Sequence, residues 1–360
     1  MPSIDEIIDQ RIGEVRTEGL DISFGEIVNL HTDKELTIQP EYQRLFRWSF
    51  EQRSRLIESI LLELPIPEVY VIENDDGTYE LIDGLQRVCS VIHFMNPTIL
   101  GLEPLKLTGC DLVPELNELS FEDLPLKLKL QIKRSTVRTI VIKRQSKSML
   151  RYEMFKRLNT GGTSLSAQEL RNCTARMIGD QGIEFYEFIK ELAQFPSFKN
   201  CIDTLPQSEE EKKGDEELVL RFLAAKNAQA IFKGSVRDWL DLYMEKIILG
   251  EIAFDKEAEQ QIFCDLFTYI ERVIGDSAFV KYRNGLPIGG LAPAYFEAVT
   301  IGILTVKNQI SAVNDNLVKQ KIKETLENGI FRSFTGPAAN TKLKLESRIS
   351  TISDALLGLI

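Results

Sequence analysis

The spacing of apolar residues in the first half of the chain predicts both helices and strands. Leu56, Ile57 and Ile60 recur at helical spacing and fall on one face of a helix over residues 50–62. The sequence ELPIP then ends this helix, because proline lacks the backbone N–H group that a helix interior needs. An amphipathic helix of this kind packs its apolar face against a core.

Apolar and β-branched runs between turn signals predict strands around this helix. VYVIE and TYELI flank NDDG, which predicts a β-hairpin with Asp76 and Gly77 in its turn. STVRTIVIK, residues 135–143, is rich in β-branched residues and predicts a further strand. A serine followed three residues later by an acidic or amide residue predicts the start of a helix at Ser23, Ser49, Ser120 and Ser166.

The apolar pattern of the second half is almost entirely helical, and the two halves are separated by the polar stretch LPQSEEEKKGDEE. We therefore predict an α+β fold with a small mixed sheet in the N-terminal half and an all-helical C-terminal domain. The predicted divisions are a first domain over residues 1–203, a charged linker or loop over 204–217, and a helical domain over 218–360.

Composition narrows the class of protein. The 360 residues contain no long uncharged apolar run, so we predict no transmembrane helix and a cytoplasmic protein. The five cysteines are scattered and never form a C-x-x-C pair, which argues against a disulfide framework or a zinc site. The only histidines are His31 and His93, which argues against a nuclease site built on several histidines.

The charge of the chain is uneven. The formal net charge of −11 disfavours general affinity for nucleic acid. The segment Lys127–Arg157, however, contains eleven Lys or Arg residues and a single acid, Glu153. This segment is either a local anion-binding face, through which DNA would bind, or a set of solvated helix and strand surfaces.

The motif IDGLQR places unusual chemistry where a strand is predicted to turn into a helix. Gly84 permits a tight turn, and the first N–H groups of the helix would face an anion there. Arg87 could grip a phosphate with two donors, and Gln86 both donates and accepts hydrogen bonds. Asp83 could hold a magnesium ion or position an attacking water. The alternative is an aspartate helix cap beside an incidental arginine.

Two further segments carry related chemistry. EYQRLFRW contains Arg44, Arg47 and Trp48, whose guanidinium groups and ring suit a phosphate and a base. A surface loop with its tryptophan anchored in the core is the alternative. NTGG, residues 159–162, could offer backbone N–H groups to a phosphate, or it could be a glycine turn between helices.

These motifs together resemble a known family. YQRLFRW, RLIESILLELPIP, LIDGLQR and FKRLNTGGTSLSAQELRN stand in the order found in the N-terminal domain of GmrSD-type, modification-dependent restriction systems, a family of the ParB/sulfiredoxin-like superfamily. The resemblance covers roughly Phe24 to Asn172. Where many members have Asp-Gly-Gln-Gln-Arg, this chain has Leu85 at the middle position.

The resemblance implies a ParB/sulfiredoxin-like fold that binds nucleoside triphosphates and, in several members, hydrolyses them without a P-loop. It implies that the motif of Asp83, Gly84, Gln86 and Arg87 binds and hydrolyses the nucleotide. The supporting pocket residues would be Arg44, Arg47 and Trp48, and we add Asn159, Gly161 and Gly162 on the phosphate side.

The larger enzymes that this chain resembles also carry a His-Asn-His nuclease domain. No histidine follows His93 in these 360 residues, so we expect no such nuclease within them. A separate nuclease subunit would then cut DNA. We also consider a homodimer, in which the partner is a second copy of this chain, and we expect no membrane partner.

The leading hypothesis is a nucleotide-binding, magnesium-dependent triphosphatase of a prokaryotic anti-phage or modification-dependent restriction system. One alternative is a ParB-like DNA-binding or adaptor module in which the nucleotide acts as a switch. Another is an interaction protein of the toxin–antitoxin type with a decayed pocket.

Overall fold

The computed structural model of the protein describes residues 3–4, 16–38, 46–144, 154, 157–158, 166–336 and 339–360. The chain forms two compact units, Met1–Ser164 and Leu165–Ile360. The first unit is α+β, and the second is built mainly from helices.

A five-stranded mixed sheet forms the centre of the first unit. Its strands are β1 (Thr17–Ser23), β2 (Leu36–Thr37), β3 (Val69–Glu73), β4 (Tyr79–Asp83) and β5 (Thr136–Ile142). The order across the sheet is β1-β5-β3-β4-β2. The β1/β5 and β3/β4 pairs are antiparallel, and the β3/β5 and β2/β4 pairs are parallel. The predicted hairpin around Asp76 and the predicted strand over 135–143 are both confirmed.

Four helices accompany this sheet in the described part of the first unit: α1 (Phe24–Thr32), α2 (Phe50–Leu61), α3 (Leu85–Met95) and α4 (Leu126–Arg134). The predicted starts at Ser23 and Ser49 are confirmed. Ser49 forms a reciprocal capping box with Gln52. The predicted helix start at Ser120 is wrong: Ser120 donates to the Asp123 carboxylate in a turn, and α4 begins only after Pro125. Proline disfavours helical backbone in the residue before it.

The second unit consists of helices around an aromatic core. The helices are α5 (Ala167–Met177), α6 (Asp180–Ala193), α7 (Pro196–Cys201), α8 (Gln207–Glu210), α9 (Gly214–Asn227), α10 (Val236–Ile248), α11 (Lys256–Val273), α12 (Pro293–Val306), α13 (Asp315–Glu327), α14 (Gly329–Ser333) and α15 (Lys342–Leu357). Phe198, Phe222, Phe263 and Phe267 are fully buried and contact one another at ring-centroid distances of 4.3–5.9 Å.

The prediction that this part is all-helical is wrong in one place. Strands β6 (Lys281–Arg283) and β7 (Leu286–Ile288) form an antiparallel hairpin. Asn284 and Gly285, in the turn between them, both have positive φ, the conformation that a two-residue hairpin turn requires. The hairpin strands have three residues each, which is too few for period-two alternation to show in the sequence.

The chain is divided at a different place from the predicted boundary at residue 203. The predicted linker over 204–217 contains α8 and the start of α9. Asp215 and Glu216 in this stretch are buried, and they form ion pairs with Lys199 at 3.4 Å and Lys213 at 3.0 Å. A stretch that resembles a solvated linker by composition is therefore part of the packed second unit, because its charges have partners.

A chain of alternating charges crosses the interior of the second unit. Arg171 on α5 forms ion pairs with Asp241 on α10 and Glu217 on α9, at 2.7 and 3.0 Å. Arg221 continues the chain from Glu217, at 3.2 Å, to the Glu297 carboxylate on α12, at 2.8 Å. Glu297 in turn pairs with the buried Arg348 on α15. Three acids and three arginines thus tie together five helices.

Candidate functional site

The strand-to-helix turn predicted at Asp83 and Gly84 is present. Asp83 is the last residue of β4, and α3 begins at Leu85. Gly84 lies between them with a φ of 95°, in the left-handed region. A Cβ atom there would stand 2.9 Å from Val69 Cγ2 on β3. Both the backbone conformation and the close approach of β3 therefore require glycine at this position.

A register shift in the β3/β4 pair sets the surroundings of Asp83. Val71, Ile72 and Glu73 pair in regular register with β4, but the register shifts before Tyr70, which pairs with Asp83. A bulge of this kind changes which face a strand residue shares with its neighbours. Burial, followed by the nearby Glu68 and Asp83 carboxylates, raises the pKa of Tyr70. Tyr70 and Glu68 therefore belong to the site, although no sequence motif pointed to them.

Arg87 is already engaged by the protein. Its Nη2 donates to Asp83 Oδ2 at 2.9 Å and to the backbone oxygen of Glu68 at 2.8 Å. The Arg87 side chain is only 17% exposed, and its Nε is buried without a partner among the described residues. In this arrangement Arg87 holds Asp83 and the start of β3 together, and it shares the Asp83 carboxylate with any cation that binds there.

Gln86 connects two distant segments of sequence. Its Oε1 accepts hydrogen bonds from the backbone N–H groups of Arg47 and Trp48, both at 3.1 Å. These residues lie 39 and 38 positions earlier in the chain. The bonds bring the exposed Arg47 and the half-buried Trp48 to the first turn of α3. Gln86 is thus a positioning residue for the segment of residues 46–49, hereafter the FRWS loop.

The FRWS loop is also held from the other side. Arg53 on α2 donates from Nε to the Trp48 backbone oxygen at 2.8 Å, and its guanidinium carbon lies 3.8 Å from the Phe46 ring centroid. Arg53 Nη1 lies 3.1 Å from Nδ1 of the buried His93 on α3. Arg53 therefore anchors the loop rather than pointing at a ligand, which the sequence alone did not reveal.

His93 is in position to accept from Arg53. Its Nε2 lies 2.9 Å from the backbone oxygen of Glu103, so this nitrogen carries the proton and Nδ1 is left as an acceptor. Burial lowers the pKa of His93. The hydrogen bond to the Glu103 backbone oxygen raises this pKa, whereas the nearby Arg53 charge lowers it further. The neutral ring is therefore the form that supports the loop.

The N-terminus of α3 has the properties of an anion site. Within the described residues, no side chain caps this end of the helix. The first N–H groups of a helix have no partner within it, and the helix dipole makes this end partially positive. The turn, the exposed Arg47 and the helix start together form a place where a phosphate would be stabilised.

The carboxylates of the described residues do not form a complete metal site. No group of three or more His, Cys, Asp or Glu side chains in the described ranges is arranged to hold a metal ion. Asp83, with a side chain 30% exposed, is the acid at the turn itself. A magnesium ion here would take its other ligands from phosphate oxygens and water, which suits its usual coordination in nucleotide sites.

Several cations of the basic segment Lys127–Arg157 are paired with acids. Lys129 pairs with Glu122 at 2.9 Å, and Lys143 pairs with Glu18 at 2.5 Å. Arg138 lies 3.4 Å from the Asp21 carboxylate. These contacts reduce the positive charge that the described part of the segment could offer to DNA.

The remaining predicted site residues lie outside the described residues: Arg44, Asn159, Gly161 and Gly162. The end of the family-like pattern, AQELRN, lies on α5 in the second unit. There Ser166 and Glu169 form the predicted capping box, with bonds of 2.8 and 3.1 Å. Arg171 belongs to the buried charge chain, so this part of the pattern has a structural role.

Comparison with known proteins relates residues 24–176 to a protein family. No helix in the described ranges has the length and apolar character to cross a membrane. No curated protein and no solved structure matches the chain. Residues 24–176 match the family model of the GmrSD restriction endonuclease N-terminal domain. This segment of the chain therefore belongs to the GmrSD N-terminal domain family.

Proposed function

We propose that residues 24–176 bind a nucleoside triphosphate within a restriction system, at the turn between β4 and α3. The observation that carries this proposal is the pair of hydrogen bonds from the Arg47 and Trp48 amides to Gln86. They bring a cationic residue and an aromatic residue to the first turn of α3, which follows Asp83 and Gly84 in the chain. The match to a restriction endonuclease domain supports the restriction context.

Each residue of the turn has a proposed role. The N–H groups at the start of α3 and the Arg47 guanidinium would hold phosphates, and Trp48 would stack against the base. Asp83 would bind magnesium or orient a water, while Gln86 keeps the FRWS loop in place. Arg87 would hold Asp83 and offer its other donors to a phosphate.

The proposal also includes four further pocket residues, the type of fold and the location of the protein. Arg44, Asn159, Gly161 and Gly162 are predicted to complete the pocket. A ParB/sulfiredoxin-like arrangement of the sheet and a cytoplasmic location also stay predictions. Whether the nucleotide is hydrolysed or acts as a switch depends on Asp83.

Titration calorimetry with ATP, GTP and CTP in the presence of magnesium tests the proposal. The wild type should bind at least one of them. Arg87→Ala should weaken that binding by about 1.5–3 kcal/mol, the range for hydrogen bonds to charged groups.

Arg55→Ala is the matched control. Arg55 is an exposed arginine on α2 whose partners are Asp111, at 2.9 Å, and the Gly109 backbone oxygen, at 3.1 Å. The control should bind as the wild type does. Unchanged affinity in Arg87→Ala would remove Arg87 from the site, and a wild type that binds none of the three nucleotides would contradict the proposed function.

A further inference from the structure

A small cationic pocket lies in the second unit. It has a volume of about 210 Å³ and lies between the β6/β7 hairpin, α12 and the end of α14. Its charged lining residues are Lys281, Arg283 and Arg332, and no acidic residue lines it. This concentration of positive charge stands out in a protein with a net charge of −11.

The cations of the pocket are available to a ligand. Lys281 and Arg283 are exposed on either side of the buried Tyr282, so they share one face of β6. Neither forms an ion pair with a carboxylate in the described part of the chain. Arg332 Nη2 donates to the Tyr282 backbone oxygen at 2.6 Å, which fixes its guanidinium against β6 and uses one of its five donors.

A largely buried tyrosine also lines the pocket. Tyr295 on α12 is 2% exposed, and its ring packs edge-on against Phe331 at 5.1 Å. A tyrosine hydroxyl can donate one hydrogen bond, so Tyr295 adds a neutral donor to the three cations that line the pocket.

The surroundings indicate which anion fits. Leu286 and Ile288 on β7 pair with Arg283 and Lys281 across the hairpin, and Leu286 is 67% exposed. The volume lies below the range of about 300–1,000 Å³ that is usual for small-molecule sites, so a single phosphate fits better than a whole nucleotide. Exposed apolar groups beside the cations suit the sugars that flank a phosphate in a nucleic acid.

We propose that this pocket binds a phosphodiester group of a nucleic acid, and that the β6/β7 hairpin is a nucleic-acid contact of the second unit. This contact is separate from the proposed nucleotide site. It differs from the basic segment Lys127–Arg157, where Lys129, Arg138 and Lys143 already have carboxylate partners. Contacts of this type orient a protein on a nucleic acid without reading its sequence.

The test is fluorescence anisotropy of a labelled DNA duplex, titrated with the full chain at several salt concentrations. The variant Lys281→Gln/Arg283→Gln removes two cations that make no ion pair. The matched control, Lys246→Gln/Arg272→Gln, removes one lysine and one arginine that are paired with Glu251 and Asp315. Both doubles change the net charge equally, and thermal melts confirm that each is folded.

The pocket variant should lose affinity by on the order of tenfold per removed cation, the scale of a charge-assisted hydrogen bond. Its log–log salt slope should become shallower by about 1.8, at about 0.9 for each lost phosphate contact. The control should keep both the affinity and the slope of the wild type.

Three outcomes would overturn the proposal. One is a wild type that does not bind the duplex, and another is an equal loss in the pocket variant and the control. The third outcome comes from a parallel titration with inorganic phosphate. If the pocket variant loses phosphate binding but keeps the DNA affinity of the wild type, the pocket binds a free anion and not DNA. None of these outcomes bears on nucleotide binding by the first unit, which calorimetry measures separately.

Discussion

Asp83 and Arg87 illustrate how one ion pair limits what each residue can do. Arg87 occupies Asp83 Oδ2 at 2.9 Å, so a cation at the turn would have to share the carboxylate or reach its other oxygen. Gln86 has a positioning role, because its Oε1 already accepts two backbone N–H groups. Among the residues of the motif, Asp83 is therefore the one whose substitution best tests the proposed triphosphatase against the proposed switch.

Asp83→Asn should retain nucleotide binding while phosphate release falls. Asparagine keeps the size and the hydrogen-bonding capacity of aspartate but lacks its charge. Loss of one positioned catalytic group commonly reduces a rate by about 10²–10⁴-fold. Phosphate release and nucleotide binding should be measured on the same samples of wild type and variant, with Asp111→Asn as a control on the exposed surface of the same unit.

Two results would change this assignment. A wild type that binds nucleotide without hydrolysing it above the buffer rate would support the switch. Equal hydrolysis by wild type and Asp83→Asn would show that Asp83 only ends β4 and holds Arg87.

The charge chain links five helices of the second unit electrostatically. Glu217 receives Arg171 and Arg221 on its two carboxylate oxygens. Burial by itself would raise the pKa of Glu217, but the charges and hydrogen bonds of the two arginines outweigh burial and lower it. A carboxyl whose folded-state pKa is lowered stabilises the fold above its unfolded-state pKa, and this stabilisation is lost as the pH falls through the folded-state value.

We predict that Glu217→Gln makes the second unit less stable at pH 7 by about 1.5–3 kcal/mol, because two arginines lose a charged partner. Below about pH 4.3, the ordinary pKa of a glutamate, the stability of this variant should fall less steeply with decreasing pH than the stability of the wild type. Urea unfolding followed by tryptophan fluorescence is suitable, since Trp239 is buried in this unit. Glu187→Gln, at a half-exposed pair with Lys190, is the control and should change little.

A wild-type stability that is independent of pH down to pH 3 would contradict this assignment of Glu217. An equal effect of Glu187→Gln would show that the loss reflects net charge rather than the buried chain.

The histidine content of the chain bears on whether it can cut DNA. No histidine follows His93 in these 360 residues, and a His-Asn-His nuclease needs histidines in its active site. We predict that the purified chain does not cut DNA. Modified and unmodified phage DNA should be incubated with the protein, magnesium or manganese, and each nucleotide.

Reproducible cleavage that co-purifies with the chain would contradict this prediction. The Asp83→Asn variant, purified in the same way, shows whether such cleavage comes from the turn at Asp83 or from elsewhere. A cut that survives in the variant would come from another site or a contaminant, whereas a cut lost with Asp83 would place nuclease chemistry at the turn.

Local sequence patterns predict the local structure, including the strand-to-helix turn at which the candidate site lies. The periodicity of α2, the turn of the β3/β4 hairpin and the caps at Ser23, Ser49 and Ser166 depend on residues within a few positions of one another. The same is true of the strand–glycine–helix turn at Gly84, because glycine is the residue that adopts its left-handed conformation without strain. Such features are readable from a pattern, and so is the family resemblance that the match over residues 24–176 confirms.

Which distant groups meet depends on how the elements pack, and local sequence does not show it. The pairing of Tyr70 with Asp83 depends on a register shift, and the contact of Gln86 with the FRWS loop joins residues almost forty positions apart. The charged stretch over 204–217 resembles a linker until its partners Lys199 and Asn172 are known. The physical reason is the same in each case: the free energy of a buried charge or amide depends on its partner, and packing rather than local sequence supplies that partner.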